Sequence, residues 1–196
     1  MGSPANLRKH FYSLVTAGLV VLSGLLALPA QAEDGVFSIR SAYTSEIDGV
    51  YFLNATIDYQ LNEMALEALA RGVVLTFELN IDLRRVQRFR PDKTVAELLQ
   101  LNELSYHALS GKYLVRNTNS GEQQSFLTLS AALQNLGVVR DLPVIDRALL
   151  NPKRSYFMRV KSALDIRSFP GPLRVLAIFF GDWRLASDWY RWTLQP

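Results

Sequence analysis

The stretch "VVLTFELNIDLRR" constrains this chain more than any other. Its odd positions, Val73, Leu75, Phe77, Leu79, Ile81 and Leu83, are all apolar, and its even positions from Thr76 to Arg84 are all polar. Period two over that length belongs to a strand with one face in a core and the other in water. A helix cannot carry it, because helical side chains return to one face only every three or four residues.

Neighbouring segments repeat the pattern. "VYFLNATIDYQL" puts Tyr51, Leu53, Ala55, Ile57, Tyr59 and Leu61 on one face, and "VFSIRSAYT" puts Phe37, Ile39 and Tyr43 on one side. Asp48-Gly49 between them is a tight-turn dipeptide, so the two runs predict a hairpin. "NEMALEALARG" reads as a short helix, capped by Asn62 and stopped by Gly72. "LSYHAL" and "KYLVRN" read as strands around a Ser110-Gly111 bend, and "NTNSGE" as a turn. "SFLTLSAALQNLG" passes from a strand end into a second short helix, with Ser130 as its cap and Gly137 as its stop. "DLPVID" reads as a loop with a bend fixed by Pro143. "YFMRVKSALDI" alternates again, and "PGPLRVLAIFFG" is a short apolar helix or a buried strand. Helices are too few to carry the crossovers that parallel strands need. The predicted fold is therefore mainly β: an antiparallel β-sandwich, immunoglobulin-like in architecture, with two or three short helical insertions.

The first 32 residues carry a different signal. Arg8 and Lys9 precede an apolar run that ends at Pro29, followed by the small-x-small triplet Ala30-Gln31-Ala32. Basic flank, apolar stretch, breaker and cleavage box make a secretory signal peptide, cut after Ala32. The competing reading is a retained membrane anchor, since Phe11 to Leu28 is at the short limit for a span. Either way, residues 33–196 are expected to form a single β-rich domain on the periplasmic side. Loss of Arg8 and Lys9 from 21 cations set against 18 acids leaves the mature chain almost neutral. A nucleic-acid binder would show a clear basic excess, so nucleic acid is not an expected partner.

Several chemistries are poorly supplied. The mature chain has one histidine, His107, and no cysteine. Structural zinc sites and cysteine nucleophiles are excluded on that count, and no cofactor is expected. His107 falls on the polar side of its strand, which suits a solvated or hydrogen-bonded ring better than a catalytic base. No nucleophile elbow, phosphate loop or dinucleotide fingerprint occurs. The enzymatic reading therefore needs two or more of Asp58, Asp82, Asp141, Asp146 and Asp165 brought together beside Trp183, as in a hydrolase of envelope polysaccharide or lipid.

Two clusters remain as candidate binding residues. "WRLASDWYRWTL" holds all three tryptophans, Trp183, Trp189 and Trp192. On one strand they cannot share a face, but a bulge near Ser187-Asp188 would bring Leu185, Tyr190 and Trp192 to one side. Trp189 or Trp192 is expected in the core, with one ring left exposed for a ligand. "RRVQRFRPDK" contributes Arg84, Arg85, Arg88 and Arg90. It suits anionic lipid, a phosphorylated ligand or an acidic partner, although a solvated strand end guarded against aggregation is the favoured reading. Glu78 and Asp82 lie on the polar face of the same strand and can pair with arginines there.

The segments "DGVYFLNATIDYQLN", "ALARGVVLTFELNI", "YHALSGKYLVRNTNSGE", "ALQNLG", "RDLPVID" and "SDWYRW" occur in order over most of residues 36–194. As a set they resemble the proteobacterial family of small exported proteins designated only as a domain of unknown function, DUF4390-like. The resemblance implies a signal or anchor, a β-rich extracytoplasmic domain and no assigned activity or catalytic residues. It also implies an association with a membrane sensor histidine kinase, through neighbouring genes. Three functions follow as expectations: a non-catalytic envelope module that binds such a kinase or another envelope protein, an envelope-acting enzyme, and an anionic-lipid-binding module.

Overall fold

A computed structural model describes residues 36–169, 171 and 183–195. Residues 1–35, where the signal peptide or anchor is expected, and nearly all of "PGPLRVLAIFFG" lie outside the described residues. Among the described residues the fold is mainly β, with two antiparallel sheets and two short α-helices. The three-stranded sheet is ordered β1 (Phe37–Ile47), β2 (Val50–Tyr59) and β7 (Val138–Asp146). The six-stranded sheet runs β6 (Gln123–Phe126), β5 (Lys112–Asn117), β4 (Lys93–His107), β3 (Leu75–Arg85), β8 (Tyr156–Leu164) and β9 (Tyr190–Leu194). Helices α1 (Glu63–Ala70) and α2 (Leu129–Leu136) are the insertions. No helix among the described residues is long and apolar enough to cross a membrane.

The two sheets share one core, an arrangement compatible with an immunoglobulin-like sandwich. Leu53, Ala55 and Ile57 from β2 meet Leu75, Phe77, Ile81 and Leu83 from β3 and Met158 and Val160 from β8. Burying a side chain of that size is worth about 1.5–3 kcal/mol, and β3 contributes Leu75, Phe77, Leu79, Ile81 and Leu83 to the core while pairing on both edges. Phe37, Tyr59 and Phe77 form an aromatic knot with centroids 4.8–5.5 Å apart. Ser162, on β8, is the one fully buried polar residue among the described residues. Its hydroxyl donates to the Glu78 carbonyl at 3.1 Å and lies 3.0 Å from the Tyr59 hydroxyl, so its burial is compensated.

Local chemistry explains most element ends. Asp48 and Gly49 both take positive φ, 50° and 80°, which is the turn whose twist matches a two-residue hairpin. Asn62 Oδ1 accepts from the Ala65 N–H, and Gly72 leaves α1 at φ 84°. Gly137 stops α2 for another reason. Its φ is an ordinary −77°, but a Cβ there would lie 2.1 Å from the Ile57 carbonyl oxygen. The strand-to-helix crossing is that tight because Ile57 N–H donates to the Gly137 carbonyl at 2.8 Å.

Three sequence expectations need correction. Tyr43 does not face the core with Phe37 and Ile39. The register of β1 against β2 slips between Ile39 and Ser41, so Arg40 bulges out and Ala42 turns inward, leaving Tyr43 exposed. Ser130 is not the cap of α2; Thr128 Oγ1 accepts the Ala131 N–H at 3.2 Å. "DLPVID" is not a loop but most of β7. It tolerates Pro143 because β7 is an edge strand, and it bends at Asp141 (φ 45°), where Asn54 and Asp141 hydrogen-bond each other across the ladder.

Candidate functional site

The candidate site lies on the outer face of the six-stranded sheet. The alternation that buries Leu79, Ile81 and Leu83 sends Asn80, Asp82 and Arg84 outward. Antiparallel pairing sets Glu97 of β4 and Arg159 of β8 on either side of Asp82, and Arg191 of β9 beyond Arg159. Arg159 donates from Nε and Nη2 to Asp82 Oδ2 at 2.8 and 2.6 Å, and Arg84 reaches the same oxygen at 3.3 Å. Two guanidiniums thus converge on one carboxylate, itself only 7% exposed. Such charge-assisted contacts fix side chains more firmly than neutral ones.

Trp189 completes the arrangement. The Arg159 guanidinium lies 4.0 Å from the centre of its ring, and the ring remains 40% exposed. Beside it, Arg191 covers Phe157 at 3.7 Å, which explains how Phe157 is buried although its strand parity points away from the core. Asp82, Arg84, Glu97, Leu99, Arg159 and Trp189 line a shallow depression of about 340 Å³. Its walls offer guanidinium N–H donors and an aromatic face.

The other predicted site residues disperse. Trp183 is core, packed edge-on against Phe169 at 5.0 Å, with its indole N–H unpartnered among the described residues. Trp192 is half-buried against the core and donates from Nε1 to Thr44 Oγ1 at 3.3 Å, joining β9 to β1. The expected bulge is present. Ala163 faces Ala186 but Val160 faces Tyr190, so the terminal segment holds one extra residue between Ala186 and Tyr190. It turns Leu185, Tyr190 and Trp192 to the core side and leaves Trp189 outside. Arg84 is not a free cation. Strand parity ends at Arg85, so Arg88 and Arg90 stand on the exposed β3–β4 loop away from the Arg84–Asp82 pair. Alternation shows that Arg159 lies on the polar side of its strand, but only the β8 register sets it opposite Asp82.

The aspartates do not gather. Asp58 pairs with Arg40, Asp82 with Arg84 and Arg159, Asp141 with Asn54, and Asp146 and Asp165 cap single 3₁₀ turns. His107 is exposed, its Nδ1 2.9 Å from Ser110 Oγ. Among the described residues no three His, Cys, Asp or Glu side chains stand together to hold a metal. A polar cleft between β4 and β7, also about 340 Å³, is lined by Gln100, Asn102, Gln124 and Asn135, with Asn135 donating to Gln124. A more apolar groove of about 460 Å³ lies between β2 and the two helices.

These features define a class: a two-sheet antiparallel β protein whose outer face presents an anchored arginine–tryptophan pair. The family described as Domain of unknown function (DUF4390) matches residues 35–193, and the chain belongs to it. No curated protein and no solved structure matches the chain.

Proposed function

We propose that this chain is an exported, non-catalytic binding module of the cell envelope, which recognises another envelope protein through the Arg159–Trp189 face. One observation carries the reading: a partly exposed tryptophan held by an arginine that is itself locked to a carboxylate. Tryptophan and arginine dominate the energetics of protein interfaces, and prior ordering lowers the entropic cost of using them. The scattered aspartates, each engaged in a cap or pair, favour binding over hydrolysis. The family resemblance points to the extracytoplasmic domain of a membrane sensor histidine kinase as the partner, and the leader pattern points to the periplasm.

The test is titration of residues 33–196 against the purified extracytoplasmic domain of the proposed sensor histidine kinase. W189A is expected to weaken binding about tenfold or more, and R116A, on β5, to leave it unchanged. Equal affinity of W189A and wild type would remove this face from the interaction. Export is tested separately, by N-terminal sequencing of the periplasmic species, which is expected to begin at Glu33.

A further inference from the structure

One end of the sandwich gathers segments that are distant in sequence. The β3–β4 loop, residues 86–92, is joined to the segment before β8 by the Val86 N–H, which donates to the Ser155 carbonyl at 2.9 Å. That segment is joined to the β1–β2 turn by the Arg147 N–H, which donates to the Gly49 carbonyl at 2.7 Å. Tyr51 closes the same end by donating from its hydroxyl to the Gln195 carbonyl, across the two sheets. The loop tip is itself braced, since the Gln87 N–H donates to Asp92 Oδ1 at 3.1 Å.

Two properties coincide there. The first is charge. The loop and its strand ends supply Arg85, Arg88, Arg90 and Lys93, and the second segment supplies Arg147, Lys153 and Arg154. The carboxylates at this end are Glu46, Asp48, Asp92 and Asp146, and three have local partners: Glu46 binds Arg147, Asp92 the loop backbone, and Asp146 the Ala148 N–H. Seven cations against four acids stand out in a mature chain that is otherwise close to neutral. The second property is apolar exposure at the tips. Phe89 is 92% exposed and Leu149 is 74% exposed. Leu109 and Leu127 are comparably exposed but have no basic residue beside them in the chain, whereas Phe89 sits between Arg88 and Arg90.

Guanidiniums suit phosphate oxygens, and an exposed aromatic between them suits the boundary between headgroups and acyl chains. Nucleic acid or a phosphorylated protein would use the charge but would leave Phe89 and Leu149 in water. We infer that this end of the domain docks on an anionic phospholipid surface, with Arg88, Arg90, Lys153 and Arg154 on headgroup phosphates and Phe89 and Leu149 inserted between headgroups. It differs from the arginine cluster read from sequence: Arg84 is withdrawn to Asp82, and Leu149, Lys153 and Arg154 join from another part of the chain. This docking is independent of the Arg159–Trp189 face.

The buried apolar side chains of the core all lie between Phe37 and Leu194, so residues 33–196 carry the whole described core and are the species to use. They are sedimented with phosphatidylcholine vesicles made with and without phosphatidylglycerol. Binding is expected to the anionic vesicles, to be lost in high salt, and to survive inorganic phosphate at matched ionic strength, which separates a lipid surface from a free-phosphate site. F89S/L149S and R88E/R90E are each expected to lower binding about tenfold or more, with unchanged urea midpoints because all four side chains are exposed. F89W is expected to retain binding and to gain a blue-shifted emission on anionic vesicles. Equal binding to neutral and anionic vesicles, competition by inorganic phosphate, or wild-type binding by both double variants would overturn the inference.

Discussion

Arg159 reaches a single oxygen of Asp82 through two of its nitrogens, at 2.8 and 2.6 Å, across the β3–β8 ladder. The arrangement is one-sided, since Arg84 shares the same carboxylate oxygen. Removing the acid therefore leaves two half-buried guanidiniums facing each other. D82A is expected to cost about 2 kcal/mol, the scale of a charge-assisted hydrogen bond with some solvent screening. R159K keeps the charge but loses the paired donors and the stacking on Trp189, and is expected to cost about 1 kcal/mol. Urea unfolding gives both numbers. In D82A the tryptophan emission should also become more accessible to acrylamide, because Trp189 loses its anchor.

The two helix-ending glycines predict different penalties. G137A must push a Cβ against backbone, 2.1 Å from the Ile57 carbonyl oxygen, and neither atom can swing away. The expected cost is about 3 kcal/mol, at the upper end of overpacking effects. G72A meets nothing within 4 Å but holds φ at 84°, so only conformational strain applies, about 1 kcal/mol. Reversal of that order in urea melts would contradict the close crossing of α2 and β2.

What was legible in the sequence follows from where information is local. β2 and β3 alternate without interruption, so Leu53, Ile57, Phe77 and Ile81 declared their face, and Asp48-Gly49 declared the turn. β1 misled because Arg40 bulges out of register, and a bulge leaves alternation looking intact on either side. β7 misled because proline and a positive-φ aspartate look like loop chemistry, and only an edge position makes them tolerable in a strand. The site was half legible. Asp82 and Arg84 share a strand and a parity, so their pairing could be read. Arg159 and Trp189 reach them only through the β8 register and the extra residue before Tyr190, and strand order is not written in any short window. The basic end was read as a run of arginines because its other half, residues 147–155, lies about sixty positions downstream in the chain.

Trp183 is buried with an indole N–H that has no partner among the described residues. Its ring supplies packing against Phe169, and its N–H adds a desolvation cost. W183F keeps most of the ring contact and removes the orphan donor, so it is expected to cost about 1 kcal/mol or less. W183A opens a large cavity and is expected to cost about 4 kcal/mol. A W183F penalty as large as that of W183A would show that the N–H is bonded in solution.

Tyr59 gives the fold an alkaline limit. Its hydroxyl is buried, and burial, the larger influence, pushes its pKa up to about 12, opposed by the hydrogen bond with Ser162. In the unfolded chain the phenol ionises near its ordinary value of 10.0. Between those two points the native state holds a proton that the unfolded state has released, so stability must fall as pH rises. The contribution is complete below pH 10 and is lost as pH rises to about 12, with a slope of roughly 1.4 kcal/mol per pH unit at most. Tyr51 is raised in the same direction, by burial first and then by the Glu46 carboxylate, and adds to the loss. Y59F abolishes only the Tyr59 share. It is expected to be less stable than wild type at neutral pH by about 1 kcal/mol, because the Ser162 hydroxyl loses a partner. It is also expected to lose stability more slowly than wild type above pH 10. Urea midpoints measured across that alkaline range, with tyrosinate absorbance followed in parallel, decide the matter: parallel pH profiles for Y59F and wild type would mean that Tyr59 ionises without resistance from the core.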